Sequence, residues 1–137
     1  MDAIRAFIAI PLPDSVLDEL AALERRLEKR VPSRSVRWVR PEGIHLTLKF
    51  LGDIPTDKLP EIKRALTAVA RHVPPCTFSV GGLGCFPNAH RPRVIWVGVQ
   101  EATARLAALQ GAIEEVMAPL GYPPEGRGFT PHLTLGR

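Results

Sequence analysis

The chain has 137 residues, 45% hydrophobic and 23% charged, which is enough for one compact domain with a hydrophobic core and excludes disordered and fibrous classes. Lys and Arg number 18 against 14 Asp and Glu, a net charge of +4, which favours solubility and also suits a polyanionic partner. No apolar run approaches the roughly 18 residues of a membrane span and the N-terminus lacks a secretory pattern, so no membrane association and a cytoplasmic location are expected.

In chain order, residues 4–10 alternate in apolar character and predict a strand that ends at Pro11 and Pro13. Ser15 and Asp18 have capping-box spacing, and Val16, Leu20, Leu23 and Leu27 recur at helical period until Pro32. A short strand is expected over 36–39 and, after the turn Pro41-Glu42-Gly43, a second one over 44–51. A helix opening at Thr56 or Asp57 carries Ile62, Leu66 and Val69 on one face and stops at Pro74-Pro75. Residues 77–80 and 93–99 are expected as strands around a Gly- and Pro-rich connection over 81–92. A third helix over 101–117 has the stripe Leu106, Leu109, Ile113 and Val116, and a last strand spans 129–135. The order is that of an α+β domain. Cys76 and Cys85 are too far apart for a CxxC site and too few for a disulfide framework, so free thiols are expected.

The chemistry-bearing signal is a repeat. His45-Leu46-Thr47-Leu48 and His132-Leu133-Thr134-Leu135 are identical tetrapeptides 87 residues apart. On a strand, His and Thr share one face while the two leucines anchor the other, so each copy offers an imidazole and a hydroxyl together. Two histidines on one substrate supply a base for an attacking oxygen and an acid for a departing one, and threonine hydroxyls can donate to phosphate oxygens. A two-His metal site is the weaker reading, because no HxxxH, CxxC or nearby carboxylate accompanies either copy. By alternation Lys49 falls on the face of His45 and Thr47. His72 and His90 have no motif around them and are expected on the surface, whereas Trp38 and Trp96 are expected in the core.

Around these residues the chain resembles the 2H phosphoesterase superfamily, and within it the bacterial and archaeal RNA 2′,3′-cyclic phosphodiesterases, once named 2′-5′ RNA ligases. The resemblance runs through RAFIAIPLP at 5–13, WVRPEGIHLTLKFLG at 38–52, FSVGGLGCFP at 78–87, RVIWVG at 93–98 and FTPHLTLGR at 129–137. It implies a single domain over 1–137, with two lobes of antiparallel sheet plus helices related by a pseudo-twofold around a central cleft. It also implies His45 as proton donor, His132 as proton acceptor, and Thr47 and Thr134 as phosphate ligands. Arg127 and Phe129 fall where the family uses an arginine and an aromatic residue near substrate, with Lys49 a further substrate-binding candidate. Members usually continue past the second motif, so the C-terminal part of the family's domain is expected to be absent.

The implied partner is RNA ending in a 2′,3′-cyclic phosphate, with no cofactor, no metal, no obligate protein partner and a monomeric state. The implied reaction opens the cyclic phosphate to a 2′-phosphate. Joining of 2′-5′ RNA ends, action on small cyclic phosphates, and a non-catalytic RNA-binding module using the basic stretch 30–40 stand as alternatives.

Overall fold

The structure, a computed structural model, describes residues 2–126 and 128–137. Its strands are β1 (Ala3–Ile10), β2 (Leu46–Pro55), β3 (Ser79–Phe86), β4 (Val94–Gln100) and β5 (His132–Gly136), and its α-helices are α1 (Asp14–Glu28), α2 (Leu59–His72) and α3 (Arg105–Met117). The strands form a two-stranded sheet, β1-β2, and a three-stranded sheet, β3-β4-β5. This is the expected α+β class. The chain divides into two compact units that interleave in sequence.

The first unit contains residues through Ala9, Thr47–Ser79 and Glu101–Thr130. Its core is Leu48, Ile54, Ile62, Val69, Leu106, Ile113 and Met117, all buried, where α2 packs on α3. Helix α2 follows a 3-10 turn, Thr56–Lys58, and places Pro60 in its first turn, where a missing N–H costs nothing. Helix α3 starts later than the apolar stripe predicts. The Glu101 carboxylate accepts from the Thr103 hydroxyl and from the Thr103 and Leu106 N–H groups, and Ala104 takes a left-handed φ of 63°. That arrangement holds residues 101–104 in a turn and lets regular helix begin at Arg105. Phe50, two residues beyond Leu48 on β2, is 58% exposed, with its ring 6.3 Å from that of the exposed Phe7.

The second unit contains Ile10–Leu46, Val80–Gln100 and Pro131–Arg137. Leu20, Ile44, Leu46, Val97, Val99, Leu133 and Leu135 are buried in its core. Helix α1 starts on Pro13, whose carbonyl accepts from the Val16 and Leu17 N–H groups, and no side-chain cap is made. The Ser15/Asp18 spacing is therefore not used as a capping box. Residues 36–39 do run as extended chain. Arg37 N–H donates to the Arg137 carbonyl (2.8 Å), Arg137 N–H to the Arg37 carbonyl (2.9 Å) and Val39 N–H to the Leu135 carbonyl (2.8 Å), so the segment lines the edge of β5.

Strand β3 passes straight through the glycine-rich segment expected as a connection, up to Phe86. The glycines there make room. A Cβ on Gly84 would lie 2.2 Å from the Trp96 indole, so the ring covers that position and only glycine fits beneath it. The turn that follows is closed by the Asn88 carboxamide oxygen, which accepts from the His90 and Arg91 N–H groups.

Among the described residues no helix is long and apolar enough to cross a membrane. Both cysteines are free and half-buried.

Candidate active site

The second motif lies on a strand paired along both edges. β5 pairs antiparallel with β4 in the register Trp96↔Thr134, Val97↔Leu133 and Gly98↔His132, and on its other edge with residues 37–39. Cross-strand partners share a face, so Trp96, Gly98, His132 and Thr134 lie on one side of this sheet. Val97, Leu133 and Leu135, 3%, 0% and 0% exposed, lie on the other. His132 and Thr134 are both half-buried. The His132 ring meets Phe86 edge-on at 5.0 Å between centroids and Trp96 at 6.2 Å, and those two rings are 5.1 Å apart. Two aromatic side chains thus fix the orientation of one imidazole.

The first motif is held differently. His45 precedes β2 and leaves a 3-10 turn, Pro41–Gly43, whose Pro41 carbonyl accepts from Ile44 N–H at 3.0 Å. It is half-buried between Ile44 and Leu46, 3% and 0% exposed, which pin the backbone on both sides. His45, His132 and Thr134 belong to the second unit, whereas Thr47, also half-buried, opens a segment of the first.

Lys49 is 6% exposed. Its ammonium lies 2.8 Å from a Glu114 carboxylate oxygen on α3 and donates to the Pro123 carbonyl at 3.0 Å. A charge paired and desolvated in this way ties β2 to α3, and the alternation that placed Lys49 beside His45 carried no information about that partner. Phe129 is half-buried in irregular chain ahead of β5. Arg127 lies outside the described residues. His72, at the end of α2, and His90 are exposed.

Phe86 and Trp96 are the side chains around His132 that sequence reasoning did not connect to the site. Their signal was present in the pairing of Gly84 with a tryptophan one strand away, but it becomes readable only once the register is known. Charge is also uneven. The second unit holds ten Lys and Arg against six Asp and Glu, while the first holds eight of each. In the second unit Glu24 is buried on α1, its Oε2 has no hydrogen-bond partner, and burial together with the neighbouring Glu28 pushes its carboxyl up to about 7. Among the described residues no group of three or more His, Cys, Asp or Glu is arranged to hold a metal ion.

A profile of the family described as "LigT like Phosphoesterase" matches residues 10–96 and 97–137. The chain belongs to the LigT-like, or 2H, phosphoesterase family. The RNA 2′,3′-cyclic phosphodiesterase of Methanothermobacter thermautotrophicus is 34% identical over 134 residues, 98% of this chain and 71% of that one. The protein of the same name from Thermotoga maritima is 37% identical over 133 residues, 97% and 69% of the two chains. E. coli LigT crystallised with 3′-AMP superposes with a TM-score of 0.77 at 29% identity, covering 99% of this chain and 74% of LigT. A crystal structure of a Thermus thermophilus protein superposes at 0.75 with 30% identity, covering 98% and 74%. The 2H phosphoesterase fold expected from the resemblance is the fold of this LigT-like chain.

Proposed function

We propose that this LigT-like phosphoesterase hydrolyses the terminal 2′,3′-cyclic phosphate of RNA to a 2′-phosphate by acid–base catalysis with His45 and His132. Water attacks phosphorus as its proton passes to His132, the bond from phosphorus to the 3′ oxygen breaks, and His45 protonates that oxygen. The products are a 2′-phosphomonoester and a free 3′-hydroxyl. Thr47 and Thr134 donate to the non-bridging oxygens as negative charge develops there. Arg127 supplies a guanidinium for phosphate, and Phe129 a face for the terminal base.

The observation that carries this reading is the face of β5. His132 and Thr134 stand together on its less buried side while Leu133 and Leu135 are sealed in the core, and the same four residues recur at His45. Contacts with Phe86 and Trp96 leave the His132 imidazole few orientations, which suits a group that must meet one proton at one angle. The relatives named as RNA 2′,3′-cyclic phosphodiesterases supply the substrate class.

The test is turnover of cyclic mononucleotides and of RNA oligonucleotides bearing a terminal cyclic phosphate, followed by phosphorus NMR in excess EDTA. A 2′-phosphate product formed at an undiminished rate is expected, because the proposed acid, base and donors are all side chains. A 3′-phosphate product, or no turnover of any cyclic phosphate, would overturn the reading. Activity lost to EDTA and restored by a divalent ion would assign the chemistry to a metal.

A further inference from the structure

We propose that residues 25–40 form a basic track that binds the phosphodiester backbone of single-stranded RNA on the 5′ side of its terminal nucleotide. The proposal rests on the reading above for its substrate. It adds a binding surface outside the two repeated motifs.

Seven cations, Arg25, Arg26, Lys29, Arg30, Arg34, Arg37 and Arg40, fall in these sixteen residues, with Glu28 the sole acid. This segment has a net charge of +6, and the rest of the chain has −2. All seven are exposed, and among the described residues none is in an ion pair. Folding does not account for the arrangement. Arg25 and Arg26, in the last turn of α1, stand four residues before Lys29 and Arg30, at and just past its C-terminal cap, so like charges are gathered at one helix end. The negative end of the α1 dipole favours cations in its last turn but cannot explain Arg34, Arg37 and Arg40 beyond it. A shallow depression lined by Ala22, Arg25, Arg26, Glu28 and Lys29 lies on this end of α1.

The segment also leads to the proposed chemistry. After α1 it reaches the edge of β5, where Trp38 bridges Gly136 and Val39 N–H donates to the Leu135 carbonyl. The same register carried one residue further sets Arg40 opposite Thr134, on the face that bears His132. A cyclic phosphate at the 3′ end of an RNA leaves the whole remaining chain on its 5′ side. A strand whose end lies at Thr134 then has Arg40, Arg34 and the end of α1 as successive partners for its phosphates, whereas the same register puts Arg37, opposite Arg137, on the other face.

The experiment uses the intact chain and the variant R25Q/R26Q/K29Q/R30Q, whose changes are exposed and lie in the last turn of α1 and the two residues after it. Two readouts are taken. One is the ratio of kcat/KM for an eight-nucleotide RNA with a terminal cyclic phosphate to that for the cyclic mononucleotide. The other is binding, by anisotropy as a function of salt, of a 5′-labelled single-stranded RNA with a 3′-hydroxyl and, in parallel, of a labelled acidic peptide.

In the wild type the ratio should exceed about tenfold, and the variant should bring it near one. The slope of log Kd against log salt should fall by about 0.7 for each phosphate contact removed. A ratio near one in both proteins, or RNA binding that the variant leaves unchanged, would overturn the track. Loss of binding to an acidic peptide but not to RNA would do the same and assign the surface to a protein partner. If no cyclic phosphate is turned over, the catalytic reading fails and the anisotropy arm still decides the track.

Discussion

The two copies of His-Leu-Thr-Leu share every residue, yet their surroundings differ in kind. The second copy is part of a sheet strand flanked on both sides, and its histidine rests against Phe86 and Trp96. In the first, the histidine sits just before its strand, at the exit of a 3-10 turn, and the strand that follows is tied to α3 by the buried Lys49–Glu114 pair. A tetrapeptide sets which side chains share a face. What holds that face still comes from residues far away in sequence, and the two copies meet the requirement by different means, one with aromatic packing and the other with an ion pair.

The largest effect that bears on this comparison is removal of either imidazole. His45→Ala and His132→Ala should each lower turnover by at least about 10²-fold with the fold retained by circular dichroism. The double variant should lose much less than the product of the single losses, because the two groups act in one event. A folded single variant with near-normal turnover would break the equivalence of the two copies and leave one histidine without a role.

Next in size is the ion pair. Lys49→Met should leave the Glu114 carboxylate desolvated without its partner and cost about 3–5 kcal/mol in urea unfolding. K49M/E114L should recover most of that loss. A stability loss that the double variant does not recover would mean that the pair is not what anchors β2.

A smaller effect separates the two carboxylates. Glu114 has Lys49, whereas Glu24 is 7% exposed, and burial together with the charge of Glu28 raises its carboxyl from 4.5 to about 7. An acid whose folded value lies above its unfolded value binds protons more tightly in the native state, so its contribution to stability declines as pH rises from 4.5 to about 7 and is level above that. Glu24→Gln should therefore be close to neutral at pH 4 and stabilising at pH 8, by about 1–3 kcal/mol. Equal effects at both pH values would show that Glu24 is not carried as a neutral acid in the folded chain.

Most of the fold was legible because apolar periodicity is local. The strand at 4–10, the three helices and the strand that carries the second motif all stand within a few residues of their expected bounds, and the histidines were marked by repetition alone. What escaped depended on contacts distant in sequence. The α1 start is set by Pro13 rather than by Ser15. β3 continues through Gly81, Gly82 and Gly84 because an indole from β4 covers Gly84. Alternation singled out Lys49 but could not show its partner Glu114, which lies on a helix far along the chain.

The closeness of the Trp96 indole to the His132 imidazole, 6.2 Å between ring centroids, has a spectroscopic consequence. A protonated imidazole beside an indole quenches its emission by drawing an electron from the excited state, and a neutral imidazole does so far less. The chain has two tryptophans, Trp38 and Trp96, so Trp38→Phe leaves one fluorophore, placed against the histidine. Its brightness should then follow the charge on that ring, and the arrival of a phosphate analogue could be read as light from the unlabelled protein.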